Sequence, residues 1–381
     1  MVRRRAGVQP VRATARDGDG RPRDAGRARG GRESRDRALP LRRALAGGRP
    51  RPRAPLIVGV DVGGTTTVAG VVARDGDVVA DATAPTERLN PGRALDGVVA
   101  LIAQVGRQVG RRASAIGIGV PGPVDARRGR VGEPVTHVPA LAGRALGAEL
   151  GRRCGLPVFV DNDVNALALG ELMFGAGRGA RSLVVLAAGT GVGAGIVLDG
   201  RLVRGAAGFG GELGHTPVKF DGPRCFCGGR GCLAIYASGR GIAEAARART
   251  AGDAGSRMLV AAGGDPMAIT AAMVFRAAGE GDPVAQSVID ETCRALGAAI
   301  GTVVNGLNPD VVVITGGVAR SLAPLEARIL AAARDHAFAP ALAATRVVIV
   351  PGDKRAGVRG AAALALYEMR ERTAKRRRAS S

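Results

Sequence analysis

Two stretches of this chain repeat one pattern: LIVGVDVGGTTTVAGVVARDGDVVAD from Leu56 and SLVVLAAGTGVGAGIVLDGRLV from Ser182. Each reads as a buried apolar strand, a Gly/Thr turn, a second strand, an Asp-Gly turn and a third strand. With one gap, Gly63 falls on Gly189, Gly70 on Gly195, and Asp75-Gly76 on Asp199-Gly200. A matched pair constrains the fold more than either copy alone. Two α/β lobes facing each other across a cleft satisfy it.

The segments between the copies fit this plan. RALDGVVALIAQVGRQV, residues 93–109, has the apolar spacing of a helix, and ASAIGIGVPGPVD is a buried strand ending in a Gly/Pro loop. LPVFVDNDVNALALGELMFG is a strand that breaks at a polar cluster and becomes a helix. Residues 234–305 read as mostly helical, PDVVVITGGVAR and RVVIVPG as late strands, and GVRGAAALALYEMRER as a closing helix. The expected organisation is an extension over 1–54, a first lobe over 55–180, a second lobe over 181–368 and a basic tail over 369–381. The closing helix is expected to pack back on the first lobe.

The formal net charge of +22 suggests a nucleic-acid binder until it is divided along the 381 residues. Residues 1–54 hold seventeen Arg against five acidic residues, net +12, and residues 369–381 hold six basic residues against one acid, net +5. The intervening chain keeps only +5. Residues 1–54, rich in Arg, Gly, Ala and Pro without an apolar period, are expected to be a disordered, dispensable extension. Aromatic residues make up 2% of the chain and Trp is absent, so base-stacking surfaces are poorly supplied and nucleic acid is not an expected partner. No apolar segment follows the early arginines and no run of about 18 apolar residues occurs, so the reading is cytoplasmic, without a membrane partner.

Gly/Thr turns bring several backbone N–H groups to one point, a natural cradle for phosphate. Asp61, Gly63, Gly64 and Thr65 form one candidate turn, and Gly189, Thr190, Gly191 and Gly193 form the other. Asp61 is the acid placed to hold Mg2+ through water. Asp161-Asn162-Asp163 stands where a strand meets a helix. It reads equally as an N-cap or as an acid at the ligand crevice, able to take the proton of an attacking hydroxyl.

Residues 211–232, GELGHTPVKFDGPRCFCGGRGC, hold one of the three histidines and three of the five cysteines. His215, Cys225, Cys227 and Cys232 make a closed tetrahedral set for structural zinc, and three cysteines cannot all pair as disulfides. A closed site leaves no position for substrate. It would instead brace the segment carrying Glu212 and direct the second ring nitrogen of His215 at a ligand hydroxyl. Cys154 and Cys293 read as small buried apolar residues.

The motifs DVGGTTT, GVPGPVD, DNDVNALALGE, LAAGTGVGAGIVLDGRLVRGAAG, GELGH, CFCGGRGC and VITGGVA occur in the order of the ROK family of repressors, open reading frames and sugar kinases. The chain resembles that family over residues 56–367. The resemblance implies a two-lobed, actin-like ATPase fold (ribonuclease H-like, duplicated, α/β) with a structural zinc site. It implies an ATP-dependent sugar kinase, glucokinase-like, that transfers the γ-phosphoryl group to a hexose or amino-sugar hydroxyl, O6 being the expected acceptor. By the same resemblance, Asp61 to Thr65 and Gly189 to Gly193 would hold the ATP phosphates and Gly316 and Gly317 would lie near the adenosine. Asn162 would bind sugar hydroxyls, Asp163 would be the base, Glu212 and His215 would hold the sugar, and the chain would form a homodimer.

Two departures each remove a family sugar contact. Leu233-Ala234 replaces Leu-Glu, and Pro139-Ala140-Leu141 stands for Pro-Asn-Leu. The alternatives are a ROK-type sugar-responsive transcriptional regulator and a sugar-binding protein with little catalysis. Residues 1–54 lack the helix-length periodicity that a helix-turn-helix domain needs, which favours the kinase.

Overall fold

The computed structural model describes residues 55–250, 256–353 and 355–379, so the Arg-rich arm over 1–54 lies outside the described residues. The first repeat folds as strands β1 (Ile57–Val62), β2 (Thr66–Val72) and β3 (Val78–Pro85). Helix α1 (Pro91–Val109) follows, capped by Asn90, whose side chain accepts from Arg93 N at 3.0 Å. Pro91 suits its first turn, and Gly110 ends it in the left-handed conformation at φ 63°. Leu95, Val98, Leu101 and Val105 lie on its buried face. Strand β4 (Ala115–Val120), helix α2 (Leu146–Cys154) and strand β5 (Val158–Asn162) complete a sheet of order β3-β2-β1-β4-β5.

After helix α3 (Asp163–Phe174) the second repeat begins: β6 (Leu183–Ala188), β7 (Val192–Leu198) and β8 (Arg201–Leu202). Helices α4 (Leu233–Ala237), α5 (Gly239–Thr250) and α6 (Pro283–Leu307) follow, then strands β9 (Val311–Thr315) and β10 (Arg346–Ile349). This sheet has the order β8-β7-β6-β9-β10, the same as the first. The strand registers locate the gap in the repeat. Val62 pairs with Thr67, but Ala188 pairs with Val192, so the second turn is one residue shorter.

Helix α7 (Ala356–Ala379) closes the chain and packs on β1, β4 and α3, while α3 also packs on β6 and β7. The residues expected as a basic tail continue this helix to Ala379. Because α3 has neighbours on several sides it is apolar nearly all round, unlike the one-sided α1. Its crossing with α7 is close: a Cβ on Gly170 would lie 2.8 Å from Gly360 Cα. The second lobe's core gathers Val184 and Leu186 of β6, Ile242 of α5, Leu296 and Ile300 of α6, and Val312 and Ile314 of β9. Each such side chain contributes about 1.5–3 kcal/mol on burial, so Ile300→Ala would destabilise the lobe by roughly 2–5 kcal/mol.

Candidate active site

β1 delivers Asp61 to the mouth of the first Gly/Thr turn. There Gly63 N–H donates to Thr66 O at 3.0 Å, and the Gly63 carbonyl accepts from Thr86 Oγ1 at 2.8 Å. The turn is thus held from within, and the N–H groups of Gly64 and Thr65 have no acceptor among the described residues. Asp61 reaches toward the first turn of α7, where a Cβ on Gly357 would come 1.9 Å from Asp61 Oδ2. Burial pushes the Asp61 carboxyl up to about 6.

The three polar residues at the β5–α3 junction have separate roles. Asp161, 1% exposed, accepts from Arg204 Nε at 2.6 Å and from Asn165 Nδ2 at 3.0 Å. Arg204 also donates to Glu368 of α7 at 2.7 Å, so one guanidinium ties β5, the loop after β8 and α7 together. Asn162 is the N-cap: its Oδ1 accepts from Val164 N at 2.9 Å and Asn165 N at 3.2 Å, and its Nδ2 donates to Gly122 O at 3.2 Å. One amide proton of Asn162 remains for a ligand. Asp163 accepts from its neighbour Val164 N at 2.9 Å. Burial first, and then the nearby Asp61 charge, push its carboxyl up to about 7.

In the second lobe, Gly189 N–H donates to Gly191 O at 2.9 Å, and the Gly189 carbonyl accepts from Gly239 N at 2.8 Å, which seats the start of α5 beside the turn. Val318 N donates to Ala188 O at 3.0 Å, and a Cβ on Gly316 would lie 2.5 Å from that same oxygen. The Gly316-Gly317 loop therefore meets the second Gly/Thr turn. Added Cβ atoms on Gly189, Gly191 and Gly317 would meet nothing within 4 Å. Packing within the protein does not require glycine there, whereas close approach of a ligand does. Gly193 differs. It lies inside β7, where a Cβ would come 2.7 Å from Val164 Cγ2, so its place is in the packing of α3 rather than in the turn. A cavity of about 650 Å³ runs from Thr190 along Arg240 and Glu244 of α5; Asp61 and Asp163 do not line it.

GELGH is pressed onto the same end of β7: a Cβ on Gly214 would lie 1.9 Å from Val192 O, so only glycine fits. This seats exposed Glu212 and half-buried His215 beside the second turn. The ligand atoms of His215, Cys225, Cys227 and Cys232 all lie within 4.8 Å of one another. His215 Nδ1 is 3.6 Å from Cys225 Sγ, and Cys227 Sγ is 3.7 Å from Cys232 Sγ. Tetrahedral Zn2+ with bonds of about 2.0–2.3 Å needs separations of roughly 3.5–3.8 Å, which these two pairs match, and three thiols with an imidazole are the donor types the ion takes. Burial and the neighbouring thiols push Cys232 up to about 12. Cys293 is buried and Cys154 half-buried, each with its thiol raised chiefly by burial.

Ala140, assigned to the place of a sugar-binding Asn, is 3% exposed in the first lobe's core, and its N–H donates to Arg88 O at 2.9 Å. Thr136, His137 and Pro139 of that loop are exposed, and His137 lies against Gly64: a Cβ there would come 3.3 Å from His137 Cβ and 3.7 Å from its Nδ1. Ala234 of α4 is 4% exposed and lines the cavity that runs from Thr190. The sequence reading missed His137 and Arg204. Only the scarcity of histidine, three in the chain, could have singled out the first.

Two α/β lobes of one topology, with a glycine turn in each and an acid pair in one, define a mixed α/β protein of the actin-like ATPase class. The ROK family model matches residues 57–368, and the chain belongs to the ROK family. It is 36% identical over 314 residues to a glucokinase of Thermotoga maritima, an overlap covering 81% of this chain and 96% of the relative. The fold is similar to that of a ROK hexokinase from Thermus thermophilus, at 33% identity and TM-score 0.69 over 83% of this chain and 99% of that one. It is also similar to a ROK family glucokinase from Streptomyces griseus solved with glucose and AMPPNP, at 32% identity and TM-score 0.64 over 81% and 98% of the two chains. Among the described residues no helix is long and apolar enough to cross a membrane.

Proposed function

We propose that this chain is an ATP-dependent hexose kinase, a glucokinase-like enzyme that transfers the γ-phosphoryl group to a hexose hydroxyl, O6 in our assignment. The observation that carries the reading is the division of the site. Asp61 at the end of β1 and Asp163 just beyond β5 lie close enough for their charges to act on one another, and Gly189, Gly191 and Gly317 face open space in the second lobe. The acids suit the acceptor, and the bare backbone suits the phosphates.

Asp163 is the base that takes the proton from the attacking hydroxyl. A carboxyl raised to about 7 holds a proton more firmly than an ordinary aspartate, which suits general-base work near neutral pH. The N–H groups of Gly64, Thr65, Thr190 and Gly191 cradle phosphate oxygens, and the Gly316-Gly317 loop borders the adenosine. Asp61 would hold Mg2+, which when bound would supply positive charge to the phosphates. Sugar hydroxyls are held by the remaining amide proton of Asn162, by Glu212 and by the second ring nitrogen of His215. Zn2+ on His215, Cys225, Cys227 and Cys232 braces that wall and takes no part in the chemistry.

The test is ADP release from Mg-ATP by the full chain across D-glucose, D-mannose, D-allose and N-acetylated hexosamines, beside Asp163→Asn. One sugar is expected to stimulate release, with the variant at least about a hundredfold slower. Release that no sugar stimulates would overturn the kinase assignment.

A further inference from the structure

We infer that His137 is a sugar-specificity residue of the first lobe, its imidazole bonding the acceptor's hydroxyls from the side opposite Glu212 and His215. This rests on the kinase reading above and assigns a residue to it that the motifs leave out.

The segment carrying His137 has a fixed path. Val135 is 5% exposed and Val138 fully buried, so the backbone is anchored in the core on both sides of the histidine. The His137 carbonyl accepts from Arg88 Nε at 2.8 Å, and the turn that follows is tied back through Ala140 N–H to Arg88 O. Between these anchors Thr136 and His137 are exposed.

Two contacts place this exposed stretch at the reacting end of the lobe. On one side His137 lies over Gly64, inside the first Gly/Thr turn. On the other, a Cβ on Gly122 would come 3.2 Å from Val135 Cγ2 and 3.3 Å from Pro134 O, and the Gly122 carbonyl is the one that holds Asn162 Nδ2. Residues 134–137 therefore form a wall running from Asn162, next to the base, to the turn beside Asp61. A sugar held by Asn162 with its hydroxyl at Asp163 would have this wall as a neighbour. An imidazole offers one donor and one acceptor when neutral, enough to engage a vicinal diol. A site that bonds a hydroxyl discriminates between epimers far more strongly than apolar contact can.

The experiment compares the wild type with His137→Ala and His137→Asn in the full chain. Kinetics with D-glucose, D-mannose and N-acetyl-D-glucosamine are read at saturating Mg-ATP, and thermal stabilisation by each sugar is read without nucleotide. His137→Ala is expected to raise the KM for the preferred sugar about tenfold or more, to compress the preference among the sugars and to lose the sugar-induced shift. The KM for ATP should stay within about twofold, and His137→Asn, which keeps a donor and an acceptor, should recover part of the loss. Unchanged sugar KM and preference would overturn the inference, as would a raised ATP KM with sugar binding intact. A wild type that neither turns over nor is stabilised by any of the sugars would instead overturn the kinase reading beneath it.

Discussion

The two copies of the strand–turn–strand unit share a topology and a sheet order but not a chemistry. Asp61 in β1 pairs with Val68, and the matching position in β6 is Ala187, paired with Gly193. The first lobe's last strand ends in Asp161 and Asn162 with Asp163 just beyond, whereas the second lobe's last strand ends in Ile349. One copy thus concentrates carboxylates, and the other presents backbone and empty space. A carboxylate beside the phosphates needs a cation between them, the part given to Asp61, and a bare backbone beside the acceptor hydroxyl would offer no base. The duplication supplies a symmetric frame, and substitution at a few strand ends divides the labour.

The comparison breaks most sharply if the first copy is made to look like the second. Asp61→Ala is expected to lower turnover about 10²–10³-fold, because positive charge is no longer held beside the transferred group. Adding Ala187→Asp should not restore it and should raise the KM for ATP. Recovery of activity in that double variant, measured by initial rates, would show that the lobes are interchangeable and the division false.

A smaller effect is expected where the lobes are joined. Arg204 is the shared partner of Asp161 and Glu368, and Arg204→Ala leaves the buried Asp161 carboxylate unpaired. Denaturant unfolding should show a loss of about 3–5 kcal/mol. A loss below about 1 kcal/mol would mean that the ion pair is dispensable to the frame.

The smallest effect concerns the brace. Removing zinc with a chelator should raise the sugar KM by about tenfold while leaving the ATP KM nearly unchanged, since Glu212 and His215 lie on the braced segment. Metal analysis of untreated protein should find about one zinc per chain, by the closed four-ligand logic. Equal losses for both substrates would place the brace in the general fold instead of the sugar wall.

Much of the frame was legible because it rests on local signals. Apolar runs bounded by Gly, Thr and Asp-Gly gave the strands, and the duplicate fixed their order. The cysteine spacing named its own cluster. Side-chain direction was not legible. Asp161, Asn162 and Asp163 are adjacent in sequence, yet one meets Arg204, one caps α3 and one opens its first turn, and only the path of β5 into α3 separates them. Likewise Ala140 and His137 share a loop. Which of them faces inward depends on anchors at Val135, Val138 and Arg88 that no local pattern announces. The Asp161–Arg204–Glu368 link joins positions too far apart in sequence for spacing to reveal.

The central claim, that the half-buried first-lobe carboxylate Asp163 is the base, is tested most directly by the pH dependence of kcat/KM for the sugar at saturating Mg-ATP. Raising a carboxyl's pKa keeps it protonated and inactive as a base at low pH, so the rate should climb with pH. The account predicts a rising limb at or somewhat below pH 7, since bound Mg2+ offsets the Asp61 charge, and its absence from the residual activity of Asp163→Asn. A wild-type profile flat from about pH 5 to 8, or a limb that survives in Asp163→Asn, would contradict it.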